Sequence, residues 1–159
     1  VPVTYILQSL AQKSVELGAH AIQPIMCERS VVRLNAERAA SRLEHWRRIV
    51  VAACEQCGRN RLPEVRPVLG VPAYCARPDP VAPRLLFSPE TDVRLGDAAA
   101  QIGDRAVIAI GPEAGFSSAE EAMLMRAGFA QVSFGARILR TETAAPAALA
   151  ALLALKGEY

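Results

Sequence analysis

From Ala144 to Leu155 no side chain carries a charge or a hydrogen-bonding group. A helix over this stretch has almost no polar face, so it has to lie against a sheet or a second subunit. Directly before it stands Gly135-Ala136-Arg137-Ile138-Leu139-Arg140-Thr141-Glu142-Thr143, which follows a strand expected at Gln131–Phe134. These polar residues are therefore held at the edge of a core, where an α/β protein usually keeps its site. Pro146 sets a condition on the helix. If the helix opens at Thr141, the proline falls inside it and removes a hydrogen bond, so the helix either begins near Ala145 or is kinked.

A second anchor is Val107–Phe116, an apolar strand running into the turn Gly111-Pro112-Glu113-Ala114-Gly115. Around these two anchors the rest falls into alternating elements. Val3–Leu7 reads as a strand and Gln12–Leu17 as a short helix stopped by Gly18. Ala21–Ile25 reads as a strand. Asn35 is placed to cap a long helix from Ala36 to about Gly58, with its inward stripe at Ala39, Leu43, Trp46, Val50, Ala53 and Cys57. Further strands are expected at Pro63–Leu69, Arg84–Phe87 and Ala106–Ile110. Val71–Pro83 reads as a loop, and Ser117 or Ser118 caps a helix running to Ala127. This alternation implies one α/β domain, with a mostly parallel sheet and helices on both faces. A chain of 159 residues with 52 % hydrophobic content has the material for such a core.

The chemistry is thinner than the fold signal. Gly111–Gly115 is neither a dinucleotide fingerprint nor a phosphate-binding P-loop; it is a tight turn or a ligand turn, with Glu113 as a base, an acceptor or a cap. Arg140 and Glu142 either pair with each other or serve a site. Cys54-Glu55-Gln56-Cys57 lies within the helical pattern, which favours structural thiols over a metal set. No catalytic triad, carboxylate pair or metal cluster is apparent, so a group transfer with a self-activated cofactor is favoured. Residues 1–66 hold ten basic and six acidic side chains, and sixteen of the chain's eighteen basic residues are arginine. That bias reflects either codon usage or contacts to phosphate. Arg59-Asn60-Arg61, at a helix C-terminus, suits either the helix dipole or RNA. Neither a signal peptide nor a membrane span is read, so a cytoplasmic protein is expected.

In combination, several stretches resemble the catalytic domain of the bacterial 16S ribosomal RNA uridine-N3 methyltransferases of the SPOUT, or α/β-knot, superfamily. They are QKSVELGA at Gln12–Ala19, Pro24 with ERSVVR at Glu28–Arg33, EQCGRNRLPEV at Glu55–Val65, IGPEAGFS at Ile110–Ser117 and FGARILRTETA at Phe134–Ala144. The resemblance implies a C-terminal trefoil knot, S-adenosyl-L-methionine as cofactor, a homodimer, and 16S ribosomal RNA or the small ribosomal subunit as substrate, with no metal and no membrane. It places the cofactor against Leu86, Phe87, Ile110, Gly111, Pro112, Glu113, Gly115, Phe134, Gly135, Ile138, Leu139 and Arg140. Arg140 is then the residue that stabilises charge on the target base, with Glu113 as a base or orienting group. Arg29, Arg33, Arg59, Asn60 and Arg61 are the implied RNA contacts.

The sequence departs from the family pattern in three places. Ala114 stands where a glycine is usual. A basic stretch and about one further helical turn are expected before Gln12, so residues are expected to be missing between Ala11 and Gln12. Family members also carry an N-terminal PUA-like RNA-binding domain, which this sequence does not include. The rival readings are a methyltransferase of the same fold acting on another base or a 2′-hydroxyl, and a non-catalytic RNA-binding protein.

Overall fold

The structure is a computed structural model that describes residues 3–30, 34–77, 83–99 and 102–157. It opens with a helix, α1 (Val3–Glu16), followed by two short strands, β1 (Ala21–Ile22) and β2 (Ile25–Met26). The long α2 (Ala36–Cys57) leads to β3 (Glu64–Val65), β4 (Leu69–Gly70) and the short α3 (Val71–Cys75). Then come β5 (Arg84–Phe87), α4 (Leu95–Ala99), β6 (Val107–Ile110), α5 (Ser118–Arg126), β7 (Phe129–Val132) and α6 (Thr141–Leu155). Every strand pair among the described residues is parallel. β1 pairs with β3, β2 with β4, and the main sheet has the order β6-β5-β7.

Central β5 shows why the sheet is covered on both faces. Leu86 is fully buried with Phe116, Leu124 and Phe129, beneath α3 and α5. Its neighbour Leu85 points the other way, into a cluster with Leu95, Ile102 and Val132 that Ala151 and Leu152 of α6 close over. This is the strand alternation of period two, with both faces apolar because both are covered. Each fully buried leucine contributes ~1.5–3 kcal/mol of transfer free energy.

A separate cluster joins α1 to α2 through Ala11, Val15, Trp46, Val50, Ala53 and Cys54. It corrects the reading of the first residues. Val3–Leu7 is helix, and α1 runs without a break through Ala11 and Gln12. Leu7, Ala11 and Val15 recur every four residues and pack against α2. That packing overrides the strand preference of the β-branched residues at the start. The long helix keeps its expected limits. Asn35 accepts a hydrogen bond from the Arg38 N–H, and Gly58 closes the helix at φ 75°. At its last turn the buried face passes to Cys54, leaving Cys57 exposed.

Several further boundaries differ from expectation. Residues 21–25 and 63–69 each supply a broken strand rather than a continuous one, since β1 and β2 are separated by Gln23-Pro24 and β3 and β4 by residues 66–68. Residues 71–75 form a helix with a proline in its first turn, where the missing N–H costs nothing. The seventh strand starts two residues earlier than expected, at Phe129, which places Phe134 in the loop beyond it. Finally, α6 does begin at Thr141 and holds Pro146 within it. Its first turn is fastened by the Arg140 carbonyl, which accepts from the Thr143 and Ala144 N–H groups at 2.9 and 2.8 Å.

Candidate cofactor and RNA site

The register of the main sheet brings three loops to one edge. Phe87 pairs with both Ile110 and Val132, so β5, β6 and β7 end level with one another. Because all three are parallel, the segments leaving them emerge on the same side. The first and third are stitched together. Ser88 donates its N–H to the Val132 carbonyl at 3.0 Å, Ser133 donates to the Val93 carbonyl at 2.8 Å, and Leu95 donates to the Ser133 carbonyl at 3.1 Å. The rings of Phe87 and Phe134 stack at 4.5 Å with 23° between planes.

The second loop, after β6, turns back sharply, with the Gly115 N–H bonded to the Pro112 carbonyl at 2.8 Å. A side chain at Gly111 has no room here. A Cβ would lie 3.2 Å from Phe116 Cδ2, 3.2 Å from Phe116 N and 3.3 Å from Gly115 Cα. Ala114 is exposed and has a negative φ, so its methyl group adds no strain. The second and third loops are joined by one side chain, as Thr141 Oγ1 donates to the Gly111 carbonyl at 3.0 Å.

The residues named from sequence fall into distinct places around this edge. Ile110, Gly111, Pro112, Gly115, Phe134, Gly135 and Leu139 are partly buried along the loops. Gly135 adopts φ 91°, a conformation that favours glycine. Ile138 is 82 % exposed, an apolar side chain standing free in the third loop. Leu86 differs, because its side chain is wholly in the core under α5. Phe87 packs mainly with Phe134 and the α6 side of the core. Glu113 is exposed at the tip of the second loop. Arg140 sits at the start of α6 with its side chain 83 % exposed, and its Nη1 is 4.0 Å from Glu142 Oε1. The two form an ion pair at its outer limit, too long for a hydrogen bond, so the donors of the guanidinium are not taken up by Glu142.

The arginines of the first half divide. Arg59 is committed to the fold, since Nη1 and Nη2 donate to the carbonyls of Val15 and Gly18 at the C-terminus of α1, at 3.0 and 3.2 Å. Asn60 and Arg61 beside it are exposed. Arg29 reaches the second loop, where Nη1 donates to the carbonyls of Ala114 and Phe116 at 3.1 and 3.2 Å. Arg33 lies outside the described residues.

Glu120 is the important residue that the sequence reading left out of the site. It is buried, and both of its oxygens are used. Oε2 accepts from the Ser117 N–H at 2.9 Å, and Ser117 Oγ accepts in return from the Glu120 N–H at 3.3 Å. This is the capping box of α5, with Ser117 rather than Ser118 as the cap. Oε1 accepts from the Glu28 N–H at 2.8 Å. The first role is legible in the Ser-x-x-Glu spacing; the second is not, because nothing in the sequence links positions so far apart. On the next residue, burial raises the Glu121 carboxyl pKa, with nearby Glu90 raising it further and Arg29 acting to lower it.

No group of three or more His, Cys, Asp or Glu side chains is placed to hold a metal ion among the described residues. All four cysteines are free; within α2, Cys54 is buried and Cys57, one turn further on, is exposed. An open groove of about 330 Å³, lined by Pro72, Cys75, Ala76, Met123, Arg126 and Ala127, lies at the other end of α5, away from the loops. Among the described residues no helix is long and apolar enough to cross a membrane.

A family profile described as an RNA methyltransferase domain matches residues 2–153. The ribosomal RNA small subunit methyltransferase E of Buchnera aphidicola from Schizaphis graminum is 36 % identical over 141 residues, covering 89 % of this chain and 57 % of that protein. A crystal structure of the enzyme of that name from Neisseria gonorrhoeae, bound to S-adenosyl methionine, is 44 % identical with a TM-score of 0.85, covering 94 % of this chain and 61 % of that one. A methyltransferase structure from Legionella pneumophila, in complex with the same cofactor, is 39 % identical with a TM-score of 0.86 and covers 94 % and 61 % of the two chains. The chain thus spans about three fifths of the length of the relatives it matches. Its mostly parallel, helix-flanked architecture is the α/β-knot fold of these solved relatives.

Proposed function

Because the chain belongs to the RNA methyltransferase domain family, we propose that it binds S-adenosyl-L-methionine across the three loops and directs its methyl group to N3 of a uridine in 16S ribosomal RNA. The observation that carries this reading is the level ending of β5, β6 and β7 at Phe87, Ile110 and Val132. It is joined to the single bond from Thr141 to the Gly111 carbonyl, which ties two of the loops together. The residues present fit the cofactor. Gly111 and Gly115, without side chains, allow the main chain close approach to a ligand, and Ile138 and Leu139 offer apolar surface to a flat base. When bound, that cofactor supplies an already activated sulfonium methyl group.

The protein's own contribution is alignment and charge. Uridine N3 carries a proton at neutral pH and becomes nucleophilic only as that proton leaves. Arg140, exposed at the head of α6 and only loosely paired with Glu142, stabilises the negative charge that develops over N3 and its flanking carbonyls. Glu113, at the tip of the neighbouring loop, accepts the proton or orients the base. Asn60 and Arg61, with the free part of Arg29, contact the RNA, and Arg33 belongs to the same set. A target in folded RNA leaves its stack to reach the loops. The chain acts as a homodimer in the cytoplasm. In support of the dimer, α6 is apolar from Ala144 to Leu155 yet buries only Ala144 and Ala148, and Leu155 remains 54 % exposed.

The test is a titration with S-adenosyl-L-methionine, followed by methylation of in vitro transcribed 16S ribosomal RNA and of small subunits, read by nucleoside mass analysis. The expected product is N3-methyluridine. Arg140→Ala is expected to lower the rate of transfer more than cofactor affinity. RNA binding without cofactor binding would replace this reading with that of a non-catalytic RNA-binding protein. A methylated 2′-hydroxyl or a different base would replace the substrate assignment.

A further inference from the structure

The dipeptide Glu28-Arg29 is locked to the loop after β6 in both directions. Glu120, on α5, holds the Glu28 N–H with one carboxylate oxygen and the Ser117 N–H with the other. In return Arg29 holds the carbonyls of Ala114 and Phe116 through Nη1 alone. A capping box needs only the Ser117 bond. The bond to Glu28 is additional; it is partly buried and made to a carboxylate oxygen, the charge-assisted and stronger class of hydrogen bond. Arg29 is itself exposed, and its Nε and Nη2 make no hydrogen bond among the described residues. A guanidinium presents five donors in a fixed plane, so one edge can meet a phosphate while the other keeps its carbonyls.

We propose that Arg29 and Glu120 are positioning residues that couple RNA binding to the shape of the cofactor loop. A phosphate on the outer edge of Arg29 fixes the guanidinium. The guanidinium then fixes the Ala114 and Phe116 carbonyls, and Glu120 keeps residues 27–30 in register with the head of α5. Neither residue touches the methyl group in this scheme; both act through the main chain of residues 111–117. The inference rests on the methyltransferase reading and assigns one of its elements a second duty.

The experiment is calorimetric titration of the full 159-residue chain with S-adenosyl-L-methionine, with and without saturating in vitro transcribed 16S ribosomal RNA. The ratio of the two affinities is the coupling factor. For the wild type, RNA is expected to tighten cofactor binding by about five- to tenfold, within the usual range for coupled sites. Arg29→Ala is expected to bring the ratio close to one. Glu120→Gln is expected to do the same, because an amide can keep the Ser117 N–H but cannot accept from both main-chain donors. A helix-capping role alone predicts no change for Glu120→Gln, since glutamine also serves in a capping box. Thermal unfolding checks that the Gln variant folds; if it does not, exposed Arg29 decides the matter alone. A wild-type ratio of one, or an unchanged ratio in Arg29→Ala, overturns the coupling while leaving the methyltransferase reading intact. A wild type that binds no cofactor overturns both.

Discussion

Gly111→Ala is the sharpest test of how tightly the loop after β6 is folded. The new methyl carbon would lie 3.2 Å from an edge atom of the Phe116 ring, 3.2 Å from the Phe116 nitrogen and 3.3 Å from Gly115 Cα. The ring edge can swing aside, but the nitrogen and the α-carbon belong to the main chain, so the turn itself must open by a few tenths of an ångström. Overpacking of this kind costs ~1–3 kcal/mol. For a chain of this length each kcal/mol moves the unfolding midpoint by about 2–4 °C. A fall of about 2–12 °C in Tm is therefore expected, measured by thermal unfolding monitored by circular dichroism. Opening the turn also displaces the Gly111 carbonyl from Thr141 and the Gly115 N–H from Pro112, so cofactor affinity should fall by about tenfold or more. Ala114→Gly is the control, because Ala114 is exposed and unstrained, and it should leave affinity within about twofold. An unchanged Tm together with unchanged affinity in Gly111→Ala would show that the turn has slack, and the argument for a pre-formed loop would fall.

Arg59→Ala removes two donors from the C-terminus of α1 and should cost ~1–2 kcal/mol in urea unfolding; a loss confined to RNA affinity would refute the structural role. Arg61→Ala should leave stability unchanged and reduce the salt dependence of RNA binding by roughly one unit, as for one lost phosphate contact. Asn35→Ala should destabilise α2 by ~1 kcal/mol, seen as a lower urea midpoint at constant slope. The Cys27 thiol has its pKa raised from 9.0 to about 11, first by burial and then by Glu120. A raised folded-state value means the folded protein keeps its proton where the unfolded chain has lost it, so stability is unaffected below pH 9 and declines between about pH 9 and 11. Cys27→Ala should flatten that decline in Tm, and a decline of equal depth in the variant would assign it to other groups.

What the sequence showed of the fold depended on how local the signal was. Asn35 and Gly58 bracket α2 because a cap acts on its own helix, and Arg84–Phe87 reads as a buried strand because both its faces are apolar. The start of the chain misled, because Val3 and Ile6 favour strand locally while Leu7, Ala11 and Val15 pack on a helix lying thirty residues further on. The two glycine loops were visible as candidate ligand turns, and their convergence follows from parallel strands of equal register. The bond from Thr141 to Gly111 and the grip of Glu120 on Glu28 were hidden, since each joins side chain to main chain across a distance that no spacing encodes. Arg59 has a structural duty that its charge and neighbours did not reveal, since its guanidinium closes the carbonyls ending α1.

The strand order carries a consequence for when the protein becomes competent. β7 is last of the strands in sequence yet pairs directly with β5 rather than with β6, and the Thr141 latch lies later still. A chain emerging from its own synthesis can complete β5 and β6 and still lack the third of the converging loops until β7 and the start of α6 arrive. Contacts made across such separations form slowly, so the three-loop edge is completed only in the closing stage of folding.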